Sequence, residues 1–100
     1  VIVMATPVYF YTMCGQMKTF IDRWCARYTH ITRKEFYFII TAADGNDSAL
    51  YRTLDEFRGL LACLSFPVEK GVIFGSGVWQ KGDVKDTDYP NLAYEMGKFN

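Results

Sequence analysis

The chain has 100 residues, half of them hydrophobic, which is enough for one small domain with a buried core and too few for a second domain. Its 11 basic residues balance its 11 acidic residues, so no net charge draws it to nucleic acid or to an anionic membrane. No apolar stretch approaches the roughly 20 residues that span a bilayer, and we expect no membrane association.

The N-terminal segment predicts a strand, a loop and a helix. Val1 to Ala5 is a continuous apolar run, typical of a strand covered on both faces, and it stops at Thr6-Pro7. From Gly15 to about Thr29 the apolar residues recur at helical spacing. One face of this helix carries Met17, Phe20, Ile21, Trp24, Cys25 and Tyr28. We expect that face to cover the sheet.

A second strand and a second helix follow. Glu35 to Thr41 contains the bare apolar run Phe-Tyr-Phe-Ile-Ile, and a dense cluster of turn-forming residues comes after it. The segment from Ala49 to Leu64 keeps the helical period of apolar residues. We expect the side chain of Asp47 or Ser48 to cap this helix.

The last third predicts another strand and another helix. Val68 to Phe74 is expected to be a secure strand only in its second half, because residues 69–71 are two charged residues and a glycine. A glycine-rich loop from Gly75 to Asp88 then leads to a helix that begins at Tyr89-Pro90. The residues expected to face inward from that helix are Leu92, Met96 and Phe99.

The order β-α-β-α-β-α determines the expected fold class. Strands that alternate with amphipathic helices are joined by right-handed crossovers and lie parallel. We therefore predict an α/β fold with three layers, in which helices cover both faces of a parallel sheet. In open sheets of this kind, ligands bind outside the carboxyl ends of the strands, where the loops after the strands meet.

A sequence motif at the first strand resembles a known family. Thr6-Pro-Val-Tyr-Phe10, followed by Met-x-Gly-Gln-Met-Lys-x-Phe-Ile-Asp-Arg23, resembles the third strand, flavin loop and third helix of the flavodoxin-like NAD(P)H-dependent FMN reductases. Related iron–sulfur flavoproteins and multimeric flavodoxin quinone reductases share the pattern. The resemblance implies a flavodoxin-like α/β/α sandwich, with residues 1–100 forming one partial domain that holds strands three to five.

The same resemblance implies that part of the family's domain is missing. In the family, FMN phosphate is held by a Ser/Thr/Asn-rich loop after the first strand, at a helix N-terminus. Nothing in this sequence corresponds to that loop or to the first two strands. We expect the chain to be a fragment, with an apolar sheet edge left bare and with little or no FMN binding on its own.

The loop from Thr6 to Cys14 is the first candidate site. Its backbone N–H groups and flat or polarisable side chains suit a planar heterocycle, although an aromatic-rich loop that packs on its own helix is the alternative. The resemblance implies that this loop contacts the isoalloxazine ring and ribityl chain of FMN. Its contact residues are then Val8, Tyr9, Phe10, Tyr11 and Met13, with Thr6 and Pro7 shaping the bend.

Two further loops are expected beside the first. The resemblance implies that the loop after the second strand borders the pyrimidine side of the flavin. Its residues are Thr41, Ala42, Ala43 and Gly45, while Asp44 is expected to point to solvent. In the third loop, Trp79 would shield the flavin or a nicotinamide and Lys81 would meet a phosphate. The alternatives are a plain turn with a helix cap and a structural tryptophan at a subunit interface.

The cysteines and the single histidine are given structural roles. Cys14, Cys25 and Cys63 are an odd and widely spaced set, typical of reduced thiols in the cytoplasm rather than of disulfides or a metal site. Cys14 lies near a helix N-terminus, which lowers a thiol pKa, but a packing role is favoured. The sequence lacks the closely spaced cysteines that bind iron–sulfur clusters in related flavoproteins. His30 reads as a solvated residue at a helix end.

The function implied by the resemblance is an FMN-dependent NAD(P)H oxidoreductase. Hydride passes from nicotinamide through bound FMN to a quinone or free flavin, and no protein acid or base is required. A homo-oligomer is expected. The alternative is a non-catalytic, truncated module that persists through oligomer contacts and does not retain FMN. A flavodoxin electron carrier is disfavoured because such carriers are strongly acidic, and a P-loop enzyme is excluded because the motif is absent.

Overall fold

The computed structural model describes residues 1–98, in which four strands form one sheet in the order β2-β1-β3-β4. The strands are β1 (Ile2–Tyr9), β2 (Thr12–Met13), β3 (Glu35–Thr41) and β4 (Val68–Gly75). The α-helices are α1 (Gly15–Asp22), α2 (Ser48–Ala62) and α3 (Tyr89–Lys98). Three short 3₁₀ turns lie at Arg23–Ala26, Tyr28–His30 and Asp83–Asp86.

The three long strands are parallel. β1 pairs with β3 from Ile2↔Phe36 to Pro7↔Thr41, and β3 pairs with β4 from Glu35↔Val68 to Thr41↔Gly75. Alternate residues of β3 face opposite sides, with Phe38 packed towards α2 and Ile39 lining a small apolar space beneath α3. The predicted parallel α/β sandwich is confirmed.

The main core lies between the sheet and α2. Phe36, Phe38, Ile40, Leu50 and Phe57 are all fully buried there. The rings of Phe38 and Phe57 stack with centroids 4.6 Å apart and planes 4° from parallel. Each such side chain contributes about 1.5–3 kcal/mol through removal of its apolar surface from water. This packing fixes the position of α2 against one face of the sheet.

The first strand does not stop at Thr6-Pro7, so the predicted bend there is wrong. β1 runs on to Tyr9, and the chain reverses at Phe10 and Tyr11, whose φ angles are 51° and 66°. Positive φ at both central residues is the signature of a two-residue hairpin turn, which leads directly into β2. Pro7 is tolerated in β1 because proline and the residue before it both favour extended backbone.

The first helix is shorter than predicted. α1 ends at Asp22 and is followed by 3₁₀ turns. Because a 3₁₀ helix has three residues per turn, apolar residues at α-helical spacing no longer lie on one face there. Within the predicted covering face, Met17, Ile21 and Trp24 pack against the core. Phe20, Cys25 and Tyr28 are exposed, so the covering face is narrower than the sequence pattern indicates.

Capping of α2 and the extent of β4 also differ from prediction. Within the described part of the chain the Asp47 side chain makes no capping hydrogen bond, and the Ser48 N–H donates instead to Asn46 Oδ1 at 3.0 Å. β4 is a strand along its whole predicted length. Its charged first half is stable because it forms an edge of the sheet, where Glu69 pairs with Arg58 and Lys70 pairs with Glu35.

The C-terminal helix begins as predicted, with Pro90 in its first turn. Leu92 does not face inward as expected, because 46% of it is exposed. Met96 does lie over the sheet: a Cβ added to Gly71 would come within 2.9 Å of its methyl carbon, so Gly71 permits the close approach of α3. Phe99 lies outside the described residues. No helix in residues 1–98 is long and apolar enough to cross a membrane.

Candidate functional site

Three loops meet at the carboxyl end of the sheet because β1, β3 and β4 are parallel and in register. They are the hairpin turn after β1, the loop at residues 42–47 after β3, and the loop at residues 76–82 after β4. Backbone N–H groups of such loops are not consumed by strand pairing, which is why this end of an α/β sheet accepts ligands.

One pocket, which we call the Tyr9–Trp79 pocket, lies between the ends of β1 and β3 and the loops that follow β3 and β4. Its volume is about 260 Å³. It is lined by Pro7, Val8, Tyr9, Thr41, Ala42, Ala43, Val78 and Trp79. The exposed fractions of Tyr9 and Trp79 are 60% and 76%, so both aromatic rings stand at the rim with free surface to offer a ligand.

A second pocket, the Phe10 pocket, lies beside the first. It has a volume of about 240 Å³. Its lining comprises Val8, Phe10, Tyr11, Ala42, Ala43, Asp44 and Ala49. The two pockets share Val8, Ala42 and Ala43, so they adjoin each other. The Asp44 carboxylate is exposed and accepts a hydrogen bond from the Asn46 N–H at 2.8 Å, within its own loop.

Backbone hydrogen bonds fasten the second and third loops together. The Ala42 N–H donates to the Gly75 oxygen, and the Val78 N–H donates to the Ala42 oxygen, each at 3.0 Å. The Gly77 N–H donates to the Asp44 oxygen at 2.9 Å, with Gly77 at a φ of 72° that favours glycine. These bonds fix the loop after β3 and the loop after β4 relative to each other beside the Tyr9–Trp79 pocket.

Trp79 is held through its backbone. The carboxylate of Asp83 accepts hydrogen bonds from the N–H groups of Trp79 and Gln80, at 3.0 and 2.7 Å. These donors are consumed by the protein and are not free for a ligand. Lys81, which was expected to meet a phosphate, is exposed and lines neither the Tyr9–Trp79 pocket nor the Phe10 pocket.

Thr6 and Cys14 form a structural contact beside the site. Thr6 is buried, and its hydroxyl accepts from the Cys14 N–H at 3.0 Å and donates to the Pro7 oxygen at 2.8 Å. The pKa of the Cys14 thiol lies below its usual value, chiefly because of hydrogen bonding with the Thr6 hydroxyl and then with the Met17 backbone at the start of α1, against an opposing effect of burial. Cys14 lines neither of the two pockets.

The structure brings most of the predicted site residues together. Those that line the Tyr9–Trp79 pocket are Pro7, Val8, Tyr9, Thr41, Ala42, Ala43 and Trp79. Phe10 and Tyr11 line the Phe10 pocket. Besides Lys81, three predicted residues line neither: Thr6 and Met13 are buried, and Gly45 is exposed in the second loop. Val78 was missed, although an apolar residue between Gly77 and Trp79 in a polar loop was a usable signal.

Comparison with known proteins bears on what this arrangement is for. A family model described as NADPH-dependent FMN reductase matches residues 1–78. The chain belongs to this family. The matched segment includes both candidate pockets except Trp79, which follows its last residue directly. No curated protein matches the sequence.

A solved structure resembles this FMN reductase family member in fold. The structure of the Trp repressor binding protein from Bacillus subtilis matches with a TM-score of 0.72 and 20% sequence identity. The match covers 94% of the present chain and 62% of the other, so this chain spans less than two thirds of that relative's length. Together with the family match, it confirms the flavodoxin-like fold predicted from the motif.

The lining of the Tyr9–Trp79 pocket fits a flat, largely apolar ring system. Tyr9 and Trp79 offer aromatic faces at the rim, and Ala42 and Ala43 are small enough to let a ring approach the backbone. Within residues 1–98, no residue that lines this pocket is basic, so the pocket offers no charged partner for a phosphate. No group of three or more His, Cys, Asp or Glu residues in the described range is arranged to hold a metal ion.

Proposed function

We propose that this chain contributes the ring-side part of an FMN site in an NAD(P)H-dependent oxidoreductase whose electron acceptor is a quinone or a free flavin. One observation carries the proposal: seven of the predicted site residues, drawn from the ends of β1 and β3 and from the loops after β3 and β4, line a single pocket. Family membership over residues 1–78 supports the choice of FMN as the ring system.

The residues of the Tyr9–Trp79 pocket would bind and orient the isoalloxazine ring. Tyr9 and Trp79 would flank it, Val8 and Val78 would exclude water, and the backbone beside Ala42 would approach its polar edge. FMN, when bound, supplies the hydride chemistry. Tyr9 is the only side chain with a titratable group among the residues that line this pocket within residues 1–98, which agrees with a protein that positions a flavin and leaves the chemistry to it.

A titration with two flavins tests the proposal. FMN and riboflavin share the isoalloxazine ring, and FMN adds a phosphate for which the pocket has no basic partner. We therefore expect this 100-residue chain to bind FMN and riboflavin weakly and with equal affinity, as measured by the quenching of flavin fluorescence. A form extended upstream, where the gene encodes one, should bind FMN more tightly than riboflavin. Absence of flavin binding in both forms would contradict the proposal.

A second candidate function is a non-catalytic module that acts through contacts with other copies. The observation in its favour is the outer edge of β1, which from Ile2 to Pro7 has no strand partner within residues 1–98. Val1 and Val3, at the same edge, are 66% and 58% exposed. A stable oligomer that is purified without flavin, and that does not take up flavin, would favour this candidate over the reductase.

The proposal includes a homo-oligomer in the cytoplasm. The exposed apolar edge at Val1 and Val3 is the surface that an oligomer would cover. The odd number and wide spacing of Cys14, Cys25 and Cys63 in the sequence support a reducing compartment. Sedimentation of the purified chain, together with fractionation of cells that express it, tests both statements.

A further inference from the structure

The returning strand of the β1–β2 hairpin is hydrogen-bonded to helix α2 through one carboxylate. Glu56 Oε2 accepts a hydrogen bond from the Thr12 hydroxyl at 2.9 Å, and Glu56 Oε1 accepts one from the Met13 N–H at 3.2 Å. The two acceptors thus engage two consecutive residues, and these are the whole of β2. An ionised carboxylate suits this task because it offers acceptors on both oxygens and no donor.

A second contact from α2 lies one helical turn earlier. The guanidinium carbon of Arg52 lies 5.1 Å from the centroid of the Tyr11 ring, within the range of a cation–π interaction. Arg52 and Glu56 are four residues apart and therefore lie on the same face of α2. Together they engage residues 11–13, which form the second half of the hairpin turn and the returning strand.

The hairpin needs such support because its own interactions are few. Its pairing consists of Val8↔Met13 and Tyr9↔Thr12. Its turn holds Phe10 and Tyr11 in left-handed backbone, which is sterically unfavourable for side chains other than glycine. Phe10 regains nothing through burial, since 99% of it is exposed. A two-stranded hairpin of this length is not stable by itself in water.

The hairpin also forms a wall of both pockets. Tyr9 lines the Tyr9–Trp79 pocket, while Phe10 and Tyr11 line the Phe10 pocket. Glu56 itself lines neither. We infer that Glu56 is a positioning residue that sets the hairpin wall of the flavin site, with Arg52 as its partner on α2. This inference rests on the proposed function only for the identity of the ligand.

Two variants of Glu56 and one matched control test this inference. Glu56→Ala removes both acceptors. Glu56→Gln keeps one oxygen for the Met13 N–H and offers an amide donor to the Thr12 hydroxyl, so it should rescue the hairpin. Glu69→Ala is the control, because Glu69 also binds a residue of α2, Arg58, through two bonds of 2.9 Å, but it does not touch the hairpin.

Two readouts are measured on each variant: hydrogen exchange of the Met13 amide, and flavin affinity from changes in the NMR signals of Tyr9 and Trp79. We expect Glu56→Ala to speed Met13 exchange about fivefold and to weaken riboflavin binding about fivefold, which is the factor that a loss of about 1 kcal/mol gives. Glu56→Gln should stay within about twofold of wild type in both. Glu69→Ala should change neither.

The outcomes separate the inference from the proposed function. Equal Met13 exchange in Glu56→Ala and Glu69→Ala would overturn the inference, and so would faster exchange with unchanged flavin affinity. If the wild-type chain and its extended form bind no flavin, the proposed function fails. Met13 exchange and the Tyr9 signals of the unliganded chain then decide alone whether Glu56 positions the hairpin wall.

Discussion

The backbone N–H of Val78 donates a hydrogen bond to the carbonyl oxygen of Ala42 at 3.0 Å. This bond joins the loop after β4 to the loop after β3, at the point where both meet the Tyr9–Trp79 pocket. Because Trp79 follows Val78 directly, the bond also brings the indole to the pocket rim. The site thus depends on contacts between strands that are more than thirty residues apart in the sequence.

Substitution of Trp79 by alanine is expected to weaken flavin binding without destabilising the fold. The indole is 76% exposed, so its removal should change the free energy of unfolding by less than about 0.5 kcal/mol. Its loss from the pocket rim should raise the Kd for riboflavin about fivefold, since an aromatic contact contributes about 1 kcal/mol. Fluorescence titration and urea unfolding measure the two effects.

The matched control for Trp79→Ala is Tyr94→Ala. Tyr94 is an aromatic residue on α3 that is 66% exposed and lies outside both pockets. It should leave both flavin affinity and stability unchanged. Equal riboflavin affinities for the two variants would show that Trp79 does not contact the ring.

Substitution of Phe10 by glycine is expected to stabilise the protein. Phe10 has a φ of 51°, which glycine adopts without steric cost, and its ring is almost fully exposed, so no burial is lost. The expected gain in the free energy of unfolding is about 0.5–1 kcal/mol, after the greater chain entropy of glycine in the unfolded state is counted. Chemical denaturation measures it, and a loss of stability would show that the Phe10 ring makes a contact that offsets the backbone cost.

The ion pair between Arg58 and Glu69 predicts a pH dependence of stability. The pKa of Glu69 is lowered, chiefly by the hydrogen bonds from Arg58, while burial acts in the opposite direction. Because the folded pKa lies below the unfolded one, the stabilisation is complete above the unfolded pKa and is lost as the pH falls through the folded pKa. The pair is partly exposed, so we expect less than about 1 kcal/mol.

The variant Glu69→Gln tests this pH dependence. The difference in unfolding free energy between wild type and Glu69→Gln should be largest near neutral pH. It should shrink to zero as acid protonates Glu69 in the folded protein. Urea unfolding at a series of pH values measures it, and a difference that does not vary with pH would contradict the assignment of the lowered pKa to this ion pair.

The reactivity of Cys14 should depend on the hydroxyl of Thr6. This hydroxyl is the main cause of the lowered Cys14 pKa, so Thr6→Val should move the pH midpoint of Cys14 alkylation by iodoacetamide upwards. The measurement uses a background in which Cys25 and Cys63 are replaced by serine, so that one thiol reacts. Thr6→Ser keeps the hydroxyl and serves as the control. Equal midpoints for Thr6→Val and Thr6→Ser would contradict the prediction.

The strands and the second helix could be predicted from local pattern because burial dictates the residue types. The apolar run at 36–40 forms the centre of β3 and is buried except at Ile39, which is half-buried, and apolar residues at helical spacing place Leu50, Leu54 and Phe57 in the core. The motif at 6–23 indicated the family that the comparison confirms. In each case the signal lies within one segment of the chain.

The hairpin could not be predicted in the same way. Nothing local to Thr6-Pro7 distinguishes a bend from a strand that continues, and Phe10-Tyr11 is not a sequence typical of a left-handed turn. The turn exists because Met13 is buried in the core and because Glu56 and Arg52, more than forty residues later, hold it. These contacts between residues distant in the sequence offset the unfavourable left-handed backbone of Phe10 and Tyr11.

The sequence by itself determined the class of fold, the family and the set of loops from which a site is built, since hydrophobic period and motif are local properties. Only the tertiary structure decided which of the loop residues share a pocket. It placed Thr6 and Met13 in the interior, added Val78, and divided the remaining aromatic residues between two pockets. The physical reason is that strand register and the packing of α2 on the sheet, rather than sequence spacing, set the distances between loops.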